Sequence, residues 1–436
     1  MSSDRISIHG GRLFDPAGRL DQEAALHIAD GRIVGIGRTP DGFRADRVLD
    51  AGGCLVTPGL VDMAARLREP GLEHKATIES ETRAAAAAGI TTLCVPPDTQ
   101  PVLDTPAVAE LIRRRADAAA QARVVCIGAL TQGLGGEQLS EMAALRDAGC
   151  CGVTNLFHPL SNTLVQRRAL EYAATFDLTV FLHPEDHWLA TGGCAHEGAV
   201  ATRLGLPGIP AAAETAAVAR DLALIEQTGV RAHFCRLSTA RAVQMIARAR
   251  YDGLPVTADV AAPYLFFTEL DLADFDSRYH VHPPFRTQRD REGLRAGLAR
   301  GAIDALCSDH QPHEADAKID PFPATEPGIS GIDTLPGLGL KLVDEGLLDL
   351  ADLIERLTAG PARVLGLEGL GIGRLVEGGV ADVAVLEPDI PWQVDEKTLL
   401  SAGKNTPLIG WELRGRARYT LVEGRLVHSA TGDPGR

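Results

Sequence analysis

The sequence predicts an α/β protein with two parts: a (β/α)8 barrel and a small β-sandwich domain built from both ends of the chain. In residues 58–365, short apolar runs such as GITTLCVPP and AIDALCSDH alternate with amphipathic stretches, and about eight such units favour a parallel barrel covered by helices. Residues 1–57 and 366–436 instead alternate apolar and polar residues between Gly, Asp and Pro turns, which is typical of half-buried strands. Because chemistry in such barrels lies at the carboxyl ends of the strands, we expect the functional residues there.

The composition excludes several classes of partner. The chain of 436 residues has a formal net charge of −15 and a pI of about 5.3, which argues against nucleic acid and anionic membranes as partners. The eight cysteines are scattered without a CxxC pair, so we expect buried free thiols in a reducing compartment. The sequence shows neither the apolar core of a signal peptide nor an uncharged apolar stretch of about 18 residues, so we expect a cytoplasmic protein.

The first predicted barrel strand ends in PGLVDMAARLREPG, residues 58–71. This segment resembles the signature PGLxDxHxHLREPG of type I dihydroorotases, which belong to the amidohydrolase superfamily of TIM barrels. The frame of the signature is intact, but Ala64 and Arg66 stand at the positions of its two histidines. Two histidines at this spacing share one face of a strand and bind a divalent metal. Ala64 offers no donor atom, and Arg66 is a cation that repels a metal ion.

The resemblance covers nearly the whole chain and implies four further metal-ligand positions. AGCCGVTNLFHPL resembles a strand with an acidic motif, and Asn155 and Leu156 occupy the acidic positions. VFLHPED, RAHFCRLSTA and ALCSDHQPH resemble three further strands, whose ligand positions hold His183, Arg236 and Asp309. Of the six ligand positions that the family implies, two therefore keep a metal-binding side chain, His183 and Asp309.

The resemblance also implies a substrate-binding set. Arg68 in the LREPG loop matches the position that binds the substrate carboxylate, Asp98 stands where the family has an Asn, and His313 matches a residue near the substrate. His282 replaces the Asn of the family's NPPLR motif. We interpret Arg68, Asp98 and His313 as a vestigial substrate site, with a simple turn residue as the alternative interpretation of Asp98.

Two surviving ligands do not hold a catalytic zinc ion, which normally needs three protein ligands. Without the metal, water keeps a pKa of about 15.7 rather than about 7, so Asp309, the general base of active relatives, has no activated water to deprotonate. We therefore expect no catalytic residue and no metal cofactor, although active relatives use zinc, and purified protein should hold far less than one zinc ion per chain. Because a buried carboxylate without its metal needs another cation, we expect Arg66, Arg236 or both within salt-bridge distance of Asp309.

Two interpretations of the surviving histidine stay open. His183 is expected to be a hydrogen-bonded residue inside the barrel mouth. The alternative is a relocated metal site made of His183, His233, Cys235 and Asp309. Strand alternation places Cys235 on the side opposite to Arg236, which disfavours that site.

The resemblance implies a function without chemistry. Some bacteria carry an inactive dihydroorotase-like chain that associates with aspartate carbamoyltransferase, the enzyme of the preceding step in pyrimidine synthesis. We therefore expect a pseudoenzyme that is a structural subunit of this transferase in a large hetero-oligomer. One alternative is an active hydrolase of a cyclic amide (a dihydroorotase, hydantoinase or allantoinase) with an unusual metal site. The other is a sensor that binds dihydroorotate or carbamoyl aspartate through Arg68 and Asp98.

Overall fold

The structure is a computed structural model that describes residues 4–430, so residues 1–3 and 431–436 of the predicted small domain lie outside the described range. Short strands come first along the chain, joined by turns at the glycines and aspartates that the sequence places there. These strands are β1 (Ile6–His9), β2 (Arg12–Asp15), β3 (Leu20–Glu23), β4 (Leu26–Ala29), β5 (Arg32–Ile36), β6 (Arg47–Asp50) and β7 (Leu55–Pro58).

A parallel barrel follows, which confirms the predicted fold class. Its third strand is split into two pieces, β10 and β11, and a small two-stranded ladder, β14 with β15, lies in the connection after the fifth strand. The strands are β8 (Leu60–Asp62), β9 (Ile90–Val95), β10 (Arg123–Cys126), β11 (Gly128–Ala129), β12 (Gly152–Thr154), β13 (Thr179–Leu182), β14 (Ala195–His196), β15 (Gly208–Ile209), β16 (Ala232–Phe234), β17 (Val256–Ala261) and β18 (Ala305–Cys307).

The last barrel strand closes onto the first through the segments that follow them. The backbone amide of Arg66 donates to the carbonyl of His310 (2.9 Å), and the amide of His310 donates to the carbonyl of Ala64 (2.9 Å). The buried Asp62 carboxylate accepts from the backbone amide of Ser308 (3.0 Å), from the Ser308 hydroxyl and from the Ala64 amide (3.3 Å). One acidic side chain therefore joins the two ends of the sheet directly beneath the barrel mouth.

Helices cover the outside of the barrel, and short 3-10 turns lie mainly in the loops. The α-helices are α1 (Ile78–Ala87), α2 (Pro106–Ala119), α3 (Met142–Asp147), α4 (Thr163–Thr175), α5 (His187–Ala190), α6 (Ala199–Leu204), α7 (Ala211–Thr228), α8 (Ala240–Tyr251), α9 (Gln288–Ala299), α10 (Leu335–Asp344), α11 (Leu350–Leu357) and α12 (Ala359–Val364). The 3-10 turns are Gln132–Leu134, Ala262–Leu265, Glu269–Leu272, Ser277–Tyr279, Ala315–Lys318, Phe322–Ala324, Ile332–Thr334 and Glu368–Leu370.

Helix α1 illustrates how the local sequence sets these boundaries. The Thr77 hydroxyl accepts from the Ser80 amide (3.1 Å), and the Ser80 hydroxyl accepts from the Thr77 amide (3.0 Å), so the helix begins with a reciprocal cap. The helix ends before Gly89, whose φ is +82° and whose added Cβ would lie 2.9 Å from Leu386 Cδ2. Glycine is needed there both for the backbone turn and for close packing, and it directs the chain into β9.

The small domain combines the first seven strands with three strands from the end of the chain, β19 (Val383–Gln393), β20 (Glu412–Val422) and β21 (Arg425–Ser429). One sheet has the order β5-β4-β1-β6, and the other has the order β21-β20-β19-β7-β2-β3. Apolar side chains from both sheets, including Ile8, Ile28, Val385 and Leu421, form a common buried core. The domain is therefore a sandwich of two sheets, as the alternating ends of the sequence predict.

The second sheet of the sandwich is covered on both faces. Its outer face packs on the barrel helices, where Phe14, Leu386 and Ala417 contact Ile354 of α11 in a separate apolar cluster. The small domain thus lies against the barrel wall, away from the mouth.

In the described range, all eight cysteines are free and seven are buried, in agreement with the expectation for a chain without disulfides. Between residues 4 and 430 no helix is long and apolar enough to cross a membrane.

The Asp62 bridge generates a stability prediction. Burial raises the pKa of Asp62 to about 6, so the side chain is still mainly ionised at neutral pH and accepts its three hydrogen bonds there. Asp62→Ala should lower the free energy of unfolding by about 3 kcal/mol, because it removes charge-assisted bonds and leaves buried donors unpaired. Urea denaturation followed by circular dichroism measures the change.

Asp21→Ala is the matched control, because Asp21 forms a half-exposed ion pair with Arg12 on the small domain. That substitution should leave the urea midpoint nearly unchanged, because an exposed ion pair contributes little to stability. Equal effects of the two substitutions would show that Asp62 does not join the barrel ends.

Candidate functional site

The barrel mouth brings together residues that are far apart in the sequence. Arg66 follows β8, Phe157 follows β12, His183 follows β13, Arg236 follows β16 and Asp309 follows β18. Each therefore lies just beyond the carboxyl end of a parallel strand, where barrels of this class carry their sites. These residues lie at the strand ends, as the sequence predicts.

Both arginines that replace metal ligands approach Asp309, as the sequence predicts. The Oδ1 atom of Asp309 lies 3.7 Å from Arg66 Nη1 and 3.6 Å from Arg236 Nε, and all three side chains are less than a tenth exposed. Arg66 also forms a shorter ion pair, with 2.6 Å between its Nε and Oδ2 of Asp98. Burial alone would raise the pKa of Asp98, but the positive charge of Arg66 outweighs it and holds this pKa below its usual range. Two cations and two carboxylates thus balance one another in the mouth.

Phe157 lies over these two guanidinium groups. Its ring centroid is 5.0 Å from the Cζ atom of Arg66 and 5.6 Å from that of Arg236, which are distances of cation–π contacts. Its ring also meets the ring of His183 edge to face, with centroids 4.4 Å apart, and the ring of His282 at 5.1 Å. The sequence analysis missed Phe157, although an aromatic residue directly after the two replaced acidic positions was the available signal.

A small cavity lies in the barrel interior beside the two arginines that Phe157 covers. It is lined by Ala64, Leu156, Cys235 and both arginines, among others, and its volume is about 10 Å³, which is about the minimum for one water molecule. Pockets that bind small molecules are on the order of 300–1,000 Å³, so this cavity does not hold a substrate.

The backbone of the mouth nevertheless keeps an unusual geometry. Arg68, Leu156, Arg236 and Asp309 have φ values of 63°, 48°, 51° and 45°, in the left-handed region that side chains other than glycine rarely adopt. Such backbone conformations concentrate at functional sites, where the surrounding structure holds them in place. The backbone of the mouth therefore has conformations that are typical of binding sites, whereas its side chains contact one another as they do in a protein core.

The residues at the six family ligand positions do not fit a metal centre. The Asn155 amide is occupied elsewhere, because its Oδ1 accepts from Thr131 Oγ1 (2.7 Å) and its Nδ2 donates to the carbonyl of His158 (2.7 Å). Leu156 and Ala64 offer only carbon atoms, and guanidinium groups stand at the positions of two imidazoles. His183 and Asp309 alone are too few for a zinc ion.

The predicted substrate residues are satisfied by the chain itself. Arg68 donates from Nε to the carbonyl of Pro312 (3.0 Å), and its Nη2 lies 3.1 Å from Nε2 of His313. Lys75 donates to His313 Nδ1 (3.1 Å) and pairs with Glu326 at 2.7 Å. Burial and the charge of Arg68 lower the pKa of His313 to about 2, so this imidazole is neutral. Arg68 and His313 are neighbours, whereas Asp98 is bound to Arg66 instead.

Two expectations about His183 need correction. Within residues 4–430, neither of its ring nitrogens has a hydrogen-bond partner, so it is not the hydrogen-bonded residue that we expected. The relocated site of His183, His233, Cys235 and Asp309 does not assemble either. His233 instead bonds Thr257 (2.8 Å) and Asp259 (3.0 Å) with its two nitrogens and groups with Cys235 and Asp259.

The expected opposition of Cys235 and Arg236 is also wrong. Both residues line the same small cavity. The reason is that β16 ends at Phe234, so the alternation of a strand no longer applies, and the positive φ of Arg236 turns its side chain inward.

Comparisons with known proteins agree with this fold. Residues 53–242 match a family described as dihydro-orotase-like, and residues 194–428 match an amidohydrolase family. A dihydroorotase-like protein of Pseudomonas aeruginosa is 55% identical over 97% of this chain and 99% of its own length. A dihydroorotase of Anaeromyxobacter dehalogenans is 45% identical over 98% of both chains. The L-hydantoinase of Arthrobacter aurescens superimposes with a TM-score of 0.86 at 25% identity, covering 98% of this chain and 96% of that one.

The charge balance of the mouth generates a prediction. Asp309→Asn should lower the free energy of unfolding by about 3 kcal/mol, because it leaves two buried guanidinium groups with one counter-charge fewer. In Arg236→Met combined with Asp309→Asn, the loss should be smaller than the sum of the two single losses, since each removes the other's partner. Denaturation of the four proteins of this double-mutant cycle measures the coupling, and strictly additive losses would rule out the compensation.

Proposed function

Because the chain belongs to the dihydroorotase-like family of amidohydrolases, we propose that it is a non-catalytic member of that family. We further propose that it is a structural subunit of aspartate carbamoyltransferase in pyrimidine biosynthesis. The observation that carries the proposal is the replacement of metal donors in the mouth, where Arg66 and Arg236 stand beside Asp309 and Phe157 covers both guanidinium groups. A guanidinium group has no lone pair to offer a metal, so the family's own metal site lacks its donors.

Hydrolysis of a cyclic amide needs an activated water and a polarised carbonyl. The only family base that remains is Asp309, and both of its oxygens face side chains of the chain itself. Its Oδ1 lies near the two arginines, and its Oδ2 accepts from Gln311 Nε2 (3.0 Å). Asp309 thus acts as the counter-ion of two arginines, and the six family ligand positions hold too few donors to place a metal-activated water beside it.

The contacts of the vestigial substrate residues argue against a sensor. A sensor for dihydroorotate or carbamoyl aspartate would use Arg68 and Asp98, but Arg68 is engaged by Pro312 and His313 and Asp98 by Arg66. A ligand would have to displace these internal partners before it could bind. Polar side chains that are already bonded to other groups of the chain favour a fixed site over one that accepts a ligand.

The outer surface supports a role in association. Trp188, Leu270 and Ile319 are large, exposed apolar residues on the loops that follow β13, β17 and β18, at the mouth end of the barrel. We take these side chains as contact points of the proposed interface, since buried aromatic and apolar anchors carry much of the affinity of a protein interface. The net charge of −15 would favour encounter with a partner that has basic patches. A well-ordered barrel that lacks chemistry but keeps such a surface fits a binding role.

Co-expression with aspartate carbamoyltransferase from the same organism tests the partnership. We expect the two proteins to elute together in size-exclusion chromatography at moderate salt, as a hetero-oligomer. Separate elution, with the transferase fully assembled and active on its own, would contradict the structural role.

Paired surface variants locate the contact. Trp188 is 77% exposed at the mouth end, and Tyr251 is 83% exposed at the end of α8, on the opposite side of the barrel. Trp188→Asp should weaken the complex at least tenfold, whereas Tyr251→Asp should leave it unchanged, since a charge at an interface core is costly and a charge on free surface is not. Equal affinities of the two variants would move the interface away from the mouth.

Restoring part of the metal site should not restore activity. In the double variant Ala64→His, Arg66→His, the positions of Asn155, Leu156 and Arg236 still lack metal donors. We expect no hydrolysis of dihydroorotate above that of buffer when this variant is assayed with added zinc. The unmodified chain, assayed in parallel, is the control, and measurable turnover of the variant alone would show that the mouth is less closed than the structure indicates.

A further inference from the structure

A second group of metal-binding side chains lies at the rim of the mouth, beside the family positions. His183 and Glu185 follow β13, two residues apart, and His282 lies on the segment that leads into α9. One donor atom from each of the three residues lies within 4.8 Å of the other two. His282 Nε2 and Glu185 Oε2 are already 2.8 Å apart. Two imidazoles and a carboxylate, the donor set of many zinc sites, thus converge at one point.

The His183 ring shows that this group is incomplete. Both ring nitrogens are inaccessible to solvent, and in the described chain neither has a partner at full hydrogen-bond geometry, the backbone of Cys235 being a weak polar neighbour only. A buried polar atom without a partner costs free energy, so a native structure normally supplies one. The unpartnered nitrogens lie next to the Glu185–His282 pair, where a bound cation would satisfy them.

A second cluster in the barrel provides the contrast. His233, Cys235 and Asp259 are also close enough to hold a metal and are fully buried. There, however, each His233 nitrogen has a partner, and Asp259 accepts from His233 and from the Arg236 amide (2.5 Å). The polar atoms of that cluster are already hydrogen-bonded, whereas the ring nitrogens of His183 remain available to bind a metal.

We propose that His183, Glu185 and His282 bind one zinc ion at the rim of the barrel mouth. Glu185 and His282 do not stand at family ligand positions, so two of the three proposed ligands are new. The site uses neither Ala64 and Arg66, at the positions of the two family histidines, nor Asp309. Zinc ligands lie about 2.0–2.2 Å from the ion, so tetrahedral donors are about 3.4 Å apart. The His282–Glu185 pair, at 2.8 Å, must therefore open slightly, and donor pairs that are as much as 4.8 Å apart must move closer. Three protein ligands leave one coordination position for water.

The local charges permit a cation there. Arg66 and Arg236 are the nearby positive charges. Asp309 lies within 4 Å of both and offsets part of their charge, and Asp98 forms an ion pair with Arg66. The carboxylate of Glu185 supplies the one negative charge within the site itself.

The zinc ion would have a structural role. The rings of His183 and His282 both contact Phe157, at 4.4 and 5.1 Å between centroids. A metal that ties the two histidines together would fix Phe157 over the two arginines and join the loop after β13 to the segment before α9. The proposal replaces the expectation of a metal-free chain, which considered the six family positions alone. It is independent of the proposed function.

Zinc binding to the metal-stripped chain tests the proposal. The protein is treated with EDTA, titrated with ZnCl₂ by calorimetry, and analysed for zinc by mass spectrometry after gel filtration. We expect one zinc ion per chain and a rise in Tm on binding, because a ligand that binds only the folded state stabilises it. A wild-type chain that retains only traces of zinc would overturn the site.

Three variants identify the ligands. His282→Asn, which restores the residue type of the family motif, and Glu185→Gln should each weaken zinc binding at least tenfold. His187→Asn, at an exposed histidine of α5 outside the group, should bind like the wild type. Wild-type affinity in both ligand variants would overturn the assignment, and circular dichroism of the metal-free proteins shows that each is folded.

A parallel assay separates this proposal from the proposed function. The zinc-loaded chain is tested for dihydroorotate hydrolysis, and we expect none because Asp309, the family's general base, is paired with Arg66 and Arg236. Turnover would contradict the non-catalytic role while leaving the zinc site intact. Absence of zinc binding would contradict the site while leaving the non-catalytic role intact.

Discussion

The rest of the mouth depends on the charge of one buried carboxylate. Asp309 lies at the closing strand of the barrel, less than a tenth exposed, and a carboxylate in such a place must meet positive charge. Arg66 and Arg236 supply it from two other strands, at 3.7 and 3.6 Å. Their flat guanidinium groups in turn offer a surface on which Phe157 lies. Charge compensation and the position of Phe157 are therefore consequences of the same two arginines.

The contacts that hold the barrel together do not require a metal or a catalytic site. The barrel ends are joined by Asp62 and by backbone hydrogen bonds beside His310, and neither contact involves a metal. The strained backbone at Arg236 and Asp309 persists because packed side chains hold it. A barrel of this kind can present its outer loops to a partner while its interior is occupied by its own side chains. The relatives named dihydroorotase share the fold and much of the sequence, so the proposed loss of catalysis would rest on a few side chains.

Much of this could be predicted from the sequence, and the failures lie beyond the strand ends. Apolar periodicity indicated the barrel and the sandwich, and the replaced histidines indicated the contact of both arginines with Asp309. The opposition of Cys235 and Arg236 was wrong because it extended strand alternation past the end of β16, and the hydrogen bonds expected of His183 were wrong because its neighbours come from other loops. Past Phe234 and Leu182 the chain turns, and loop geometry decides which side chains meet. Phe157 and the pairing of Glu185 with His282 depend on contacts between loops that no single segment specifies.

The most direct test of the account is the amidohydrolase activity of the purified chain with added zinc, measured on dihydroorotate, carbamoyl aspartate, hydantoin and allantoin. The account predicts rates equal to those of buffer, with or without aspartate carbamoyltransferase, because Arg66, Arg236 and Phe157 occupy the place of metal and substrate. Turnover that co-purifies with the chain and disappears in Asp309→Ala would contradict it.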